Sequence, residues 1–297
     1  MLRDSSFRLV TLGRLTLIGA AGEEDTSLAK RRFKLALLSV LAMARRPIPR
    51  DSLLEMFWGD HDEQRARHSL SNALSSLRRA LGQRAITTRD ADVSLASDLP
   101  LEVDALDLAE AVQEKDFARA VDLYQGPFLD GVHIDDSPAF DQWVSRERRR
   151  LEALFLQACG HQCAMLARAR RWEDCHAVAA RWLDIQPLSA DAALFLLNAT
   201  KGPGTRVALG KALDEYEQLR ARLAREFDLV PEPVVLELVE RIREQIATMA
   251  PAPNEPAFAA PAPRVVEAPS AVVVATPTAP QPPVAGPHRP RSRRPRI

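Results

Sequence analysis

The chain has 297 residues, of which 46% are hydrophobic, 27% charged and 5% aromatic, a length and balance that suit two Ala/Leu-rich helical domains with a remainder. Forty Lys and Arg offset forty Asp and Glu, so the total charge selects no class of partner. Three cysteines are too few and odd in number for a disulfide framework and fit a reducing compartment.

Charge is unevenly spread. Residues 1–103 carry 16 basic and 13 acidic side chains (+3), residues 104–250 carry 18 and 25 (−7), and residues 251–297 carry 6 and 2 (+4). Met1–Asp4 leads into strand-like residues rather than an apolar signal core. The longest apolar stretch, Leu35–Ala44, is closed by Arg45-Arg46 and falls short of the ~20 residues that span a membrane. A cytoplasmic protein without a membrane span is expected.

The first elements alternate. In Phe7–Gly13 and Arg14–Gly19 apolar residues recur about every second position, which predicts strands of a small antiparallel sheet. Over Lys30–Arg46 the apolar positions Phe33, Leu37, Val40, Leu41 and Ala44 are three and four apart, which predicts a helix ended by Pro47 and Pro49. Asp51 is expected to cap a second helix with Leu53, Leu54, Phe57 and Trp58 on its apolar face, stopped by Gly59. Asp62-Glu63-Gln64 opens a third helix, which runs to Leu81 with Gly82 at its C-terminal end. Arg84–Arg89 and Val93–Ala96 flank Asp90-Ala91-Asp92 as a β-hairpin.

From Val103 onward the period is helical throughout. The predicted stretches are Leu106–Glu114, Asp116–Tyr124, Ala139–Ala169, Glu173–Ile185, Ala190–Asn198, Arg206–Phe227 and Pro233–Met249. In the unit ending at Pro187, Cys163 and Cys175 occupy the small-residue positions of a tetratricopeptide-like helix pair. Ala212, Tyr216 and Pro231 mark a second unit, and Ala120 and Tyr124 a partial one. Thirteen of the 22 prolines lie in residues 251–297, a composition that predicts a disordered tail. Its basic end, Arg289–Arg296, is expected to be a solubilising terminus; non-specific attraction to DNA phosphates is the other reading.

The helix over Gln64–Leu81 carries the most specific signal. At 100° per residue, Ala66, Leu70, Ala73, Leu74, Leu77 and Leu81 share one side. Arg65, His68, Asn72, Ser75, Ser76 and Arg79 occupy the other, with Arg67, Ser71 and Arg78 on its flanks. No Asp or Glu follows Glu63. Guanidiniums, an amide and hydroxyls together are the groups that contact phosphates and base edges. Helix, helix, basic helix and hairpin in that order make a winged helix-turn-helix, whose basic helix enters the major groove. The hairpin places Arg84 and Arg89 where a wing meets the DNA backbone, although Asp90 and Asp92 at the tip oppose that contact.

In this order the segments resemble the SARP-type transcriptional activators. Residues 7–98 are similar to an OmpR/PhoB-type winged helix, most closely through RRPIPRDSLLEMFWGDHDEQRARHSLSNALSSLRRALG. Residues 103–247 are similar to the bacterial transcriptional activator domain that follows it in that family, through VDALDLAEAV, YQGPFLDG, FDQWVSRERRRLEAL and ALDEYEQLRARLAREFDLVPEPVV. The resemblance implies a regulator that binds double-stranded promoter DNA, often at direct repeats, and recruits RNA polymerase. On it, Arg65, Arg67, His68, Ser71, Asn72, Ser75, Arg78 and Arg79 are the recognition-helix candidates. Asp228 stands where the family usually has Gly, and a left-handed cap there costs Asp some stability. Asn72 and Ser75 replace longer polar residues, so the recognised sequence does not transfer. The first six residues leave no room for a receiver domain, so aspartyl phosphorylation is not the expected switch.

Other chemistry is weakly signalled. Cys159, His161, Cys163, Cys175 and His176 lie close in sequence but lack the spacing of a zinc site. The turn Lys201–Thr205 lacks the frame of a phosphate-binding loop, and the motifs of hydrolases and metalloproteases are missing. No cofactor, metal or catalytic role is expected. Arg146–Arg150 reads as a solvated face or a domain contact. The expected architecture is mainly α with a small β component: a winged helix-turn-helix over 1–102, a TPR-like α-helical repeat domain over 103–250 and the Pro-rich tail over 251–297. The expected function is DNA-dependent activation, with the repeats serving oligomerisation or polymerase contact. The alternative is an interaction scaffold whose winged helix docks protein.

Overall fold

The computed structural model describes residues 6–19, 22, 32–59 and 62–249; the tail over 251–297 lies outside them. Strand β1 (Phe7–Val10) is central in the first sheet, between β2 (Thr16–Ile18) and β6 (Leu101–Val103). It pairs antiparallel with β2, Leu9 facing Leu17, and parallel with β6, Leu9 facing Val103. The expected sheet was antiparallel throughout. The parallel edge arises because the chain returns to β1 only after completing the whole winged helix, and a crossover of that size lets it re-enter in the same direction.

Among the described residues, three helices and a second sheet lie between these strands. Helix α1 (Arg32–Ala44) is buried continuously from Leu35 to Ala42. Its one polar residue in that run, Ser39, donates its hydroxyl to the Leu35 carbonyl at 2.9 Å, so burial leaves no unsatisfied group. Strand β3 (Ile48–Pro49) leads directly into α2 (Arg50–Trp58). Pro49 takes the N-cap position without a side-chain cap, and Asp51 sits in the first turn. Asp51 therefore meets the helix dipole rather than capping it. Helix α3 (Glu63–Leu81) precedes β4 (Ile86–Arg89) and β5 (Asp92–Leu95), and the sheet order is β3-β5-β4. The two-residue turn Asp90-Ala91 joins Arg89 to its register partner Asp92, with Asp90 at φ 54°.

Seven further helices follow: α4 (Asp104–Gln113), α5 (Phe117–Leu123), α6 (Pro138–Arg168), α7 (Trp172–Ile185), α8 (Ala190–Lys201), α9 (Arg206–Phe227) and α10 (Pro233–Thr248). Every helix read from the periodicity is present. Small residues sit where the helices approach. Ala120, Ala158, Ala179 and Ala212 are fully buried. Cys163 of α6 and Cys175 of α7 each direct the thiol at the other's carbonyl, at 3.8 and 3.6 Å. The Asp228 cap of α9 is left-handed, at φ 54° and ψ 38°. Its N–H returns to the Ala224 carbonyl at 3.2 Å, and the Leu229 N–H to that of Leu223.

The winged helix and the repeats share one core and fall within a single unit up to Ala250. Asp104, the first residue of α4, is buried. Its carboxylate accepts the Thr11 N–H at 2.9 Å, the Leu12 N–H at 3.0 Å, the Thr11 hydroxyl and its neighbour's Ala105 N–H at 2.8 Å. Beyond β1, Gly13 (φ +85°) lies against Gly126, and a Cβ on Gly13 would meet the Gln125 carbonyl oxygen at 2.8 Å. A Cβ on Gly126 would in turn meet the Gly13 Cα at 2.8 Å, which accounts for the first glycine of YQGPFLDG. Aromatic rings continue the joint from α2 into α6: Phe57 packs on Phe140 with centroids 5.2 Å apart, and Phe140 on Trp143 at 5.9 Å. The buried Ser137 hydroxyl donates to the Phe57 carbonyl at 3.1 Å.

Two stability predictions follow from these sites. Asp104→Ala leaves several buried donors without an acceptor and is expected to destabilise the protein by about 3–5 kcal/mol, measured by chemical denaturation. Asp228→Gly removes the Cβ cost of the left-handed cap and is expected to stabilise by about 0.5–1 kcal/mol, read as a rise in Tm.

Candidate nucleic-acid interface

Helix α3 is held at both ends. The Asp62 carboxylate accepts the Arg65 N–H at 3.0 Å, and the Gly82 N–H closes the last turn on the Arg78 carbonyl at 2.9 Å. The six apolar side chains assigned to the inner face, Ala66, Leu70, Ala73, Leu74, Leu77 and Leu81, are the buried ones. They fix the rotation of the helix, and the rotation decides what faces out. Arg65, Arg67, His68, Ser71, Asn72, Ser75 and Arg79 are all exposed. Glu63 is the one carboxylate of the helix, and it pairs with Arg67 at 2.6 Å.

Arg78 takes a different course. Its Nε donates to the Ile86 carbonyl at 3.1 Å and its Nη2 to the Thr88 hydroxyl at 2.8 Å. Both partners belong to β4, so Arg78 ties the hairpin to the helix and is half-buried between them. Arg79, one position on, remains exposed and reaches only Ser76, at 3.3 Å. Arg84 lies exposed in the turn after α3, and Arg89 lies exposed at the end of β4 beside Asp90. Among the described residues, no hydrogen bond or ion pair joins these two to the helix face.

Two cations missed by reading single helices join the outer face. Arg50, at the start of α2, donates to the Ser71 hydroxyl at 3.1 Å. Lys34 of α1 donates to the Ser76 hydroxyl at 2.6 Å. The Ser71 hydroxyl in turn donates to the Arg67 carbonyl at 2.9 Å. The two serines thus anchor positive charge supplied by neighbouring helices, and the basic surface is wider than α3 alone. Its visible signal in the sequence is Arg50 directly after Pro49, which gains meaning only once α2 is placed across α3.

The other groups singled out in the sequence are structural. Arg148, inside the Arg146–Arg150 run, donates from Nε to the Phe128 carbonyl and from Nη2 to that of Leu129, both at 2.6 Å. It holds the YQGPFLDG loop. His161 stacks on Phe117 with centroids 4.5 Å apart, while His176 meets Glu215 at 2.9 Å. Burial pushes the Cys159 thiol up to about 12. Hydrogen bonding to Cys175, together with burial, raises Cys163 as well. These thiols are held protonated inside the core. Among the described residues no group of three or more His, Cys, Asp or Glu side chains is placed to hold a metal ion. Nor is any helix long and apolar enough to cross a membrane.

The family model of the bacterial transcriptional activator domain matches residues 92–243, from the second strand of the hairpin to the last helix. The chain belongs to that family. A search of curated proteins found no match. Among solved structures, the chain is similar to Mycobacterium tuberculosis EmbR in complex with a low-affinity phosphopeptide, at 19% identity and a TM-score of 0.55. That likeness covers 82% of this chain and 65% of the EmbR chain, and at this identity it shows a shared fold. The chain carries the bacterial transcriptional activator domain on a fold that is mostly helical with a small β component.

Arg78 and Arg79 are expected to separate in their effects. Arg78→Ala removes both bonds to β4 and should destabilise the hairpin by about 1–3 kcal/mol. Amide exchange at Ile86–Arg89 should accelerate in that variant, while Arg79→Ala leaves exchange there unchanged.

Proposed function

We propose that this activator lays α3 in the major groove of promoter DNA and presents its helical repeats to RNA polymerase or to a second copy of itself. Residues 1–102 form the DNA-reading unit in this reading, and residues 103–250 the partner-contacting unit. The observation that carries it is the sorting of α3: six apolar side chains inward, and Arg65, Arg67, His68, Ser71, Asn72, Ser75 and Arg79 outward. Asn72 suits a bidentate contact to adenine, and an exposed Arg such as Arg79 a bidentate contact to guanine. Arg50, together with Arg84 and Arg89, serves the phosphates on either side. Arg78 serves the wing from behind, as a positioning residue rather than a DNA contact. Such a regulator works in the cytoplasm, where promoter DNA is accessible to it.

The test is binding to duplexes selected from a random pool, followed across a salt series. The logarithm of the binding constant should fall linearly with that of salt, by about 0.9 for each phosphate neutralised. Arg79→Ala and Asn72→Ala should each weaken the selected site by about 1–3 kcal/mol and relax preference at one base position. Arg50→Ala should weaken all sequences alike and flatten the salt slope by about one phosphate. Binding that is flat with salt and indifferent to these changes would turn the winged helix into a protein-docking platform instead.

A further inference from the structure

The helical segment 104–250 carries a net charge of −7, yet the groove between α8 and α10 carries the opposite sign. Two adjacent cavities of about 590 and 270 Å³ lie along it. Asn198, Lys201 and Gln245 line both of them, and Arg241 lines the smaller. No carboxylate lines either one. Glu237 and Glu240 share a further cavity with Arg241, yet among the described residues neither Lys201 nor Arg241 forms an ion pair. The Arg241 Nε donates to the carbonyl of Glu237, on its own helix, at 3.3 Å, which leaves its terminal nitrogens for a ligand.

Both cavities have apolar walls, formed in the smaller by Leu194, Val234, Leu238 and Ile242. Trp172, Leu209 and Met249 line the larger. The Trp172 indole lies so close over Gly202 that a Cβ there would fall 2.3 Å from the ring, so glycine is required for the ring to keep this place. The far wall is fixed too, because the Arg206 guanidinium donates to the Ile246 and Met249 carbonyls at 3.3 Å and pins the end of α10. An apolar wall at Trp172 therefore adjoins a pair of cations, Lys201 and Arg241, set among aliphatic side chains within a fixed frame. Asn198 donates its amide to the Leu194 carbonyl at 2.7 Å, which leaves its side-chain oxygen to accept from a ligand backbone.

We infer that this groove binds an acidic peptide segment of a partner protein, with an apolar side chain against Trp172 and a neighbouring carboxylate between Lys201 and Arg241. A compact anion would use only Lys201 and Arg241, whereas an extended peptide with both side-chain types also uses the apolar walls beside them. The inference goes beyond the DNA-binding reading and does not depend on it.

The test uses the full chain and a fluorescein-labelled octapeptide alternating Glu with Leu. Its anisotropy should saturate below about 1 mM and lose affinity as salt rises. The paired change Lys201→Glu, Arg241→Glu should weaken it at least about tenfold, and a matched Lys/Leu peptide should not bind. The milder pair Lys201→Gln, Arg241→Gln should weaken it in the same direction with an unchanged melting curve, which separates loss of the site from loss of the fold. Failure to saturate, equal affinity in both paired variants, or displacement by glutarate as effective as by unlabelled peptide would overturn the proposal.

Discussion

One buried carboxylate sets the relation between the two halves of this protein. Asp104 begins the first repeat helix, and its oxygens collect the N–H groups of Thr11 and Leu12 at the end of β1. A buried carboxylate is tolerated only where donors replace its water. Here those donors come from the strand that opens the winged helix, ninety residues upstream. The same segment is held from its other side, because the Leu129 N–H reaches the Thr11 carbonyl at 2.8 Å and the Gly13 N–H that of Pro127 at 3.1 Å. Both edges of this strand end are thus committed to the repeats. The winged helix has no free linker to swing on at this joint, and α3 inherits its direction from the helical body.

That dependence extends through α2. Helix α2 touches α3 on one side and, through Phe57, the Phe140 and Trp143 pair of α6 on the other. Arg50 at the start of the same helix reaches the outer face of α3. A disturbance of α6 therefore has a contiguous packed route to the outer face of α3, of the kind needed for coupling between sites. The Arg148 contacts to the Phe128 and Leu129 carbonyls place part of the conspicuous arginine run inside this joint, and they explain why it is not simply a second basic surface.

What was legible in the sequence was local and periodic. The inner face of α3 could be read in full, because six apolar residues at helical spacing over nineteen positions leave a single rotation. The repeat helices were equally legible, since each depends on neighbours within a turn or two, while the left-handed cap at Asp228 was implied by the family resemblance. The parallel pairing of β1 with β6 was not legible, because it joins residues more than ninety positions apart. Lys34 and Arg50 escaped for the same reason: each looks like an ordinary helix cation until the packing of three helices brings it to Ser76 or Ser71. Asp51 failed as a cap because Pro49 already supplied the extended entry into α2.

Arg78 and Arg79 show how far a helical wheel can be taken. They are adjacent, identical in type and part of one basic run, and a count of charges treats them alike. One residue along a helix is a rotation of 100°, which here is enough to carry Arg78 over the edge of the outer face and onto β4. Its long stem and forked head then find a carbonyl and a hydroxyl at hydrogen-bonding distance, an arrangement that suits guanidinium geometry. Arg79 points away from that edge and keeps its charge in solvent. The wing is thereby attached to the helix by the same residue type that the helix presents outward, so the density of arginine along α3 reflects two separate demands, one from the fold and one from the surface.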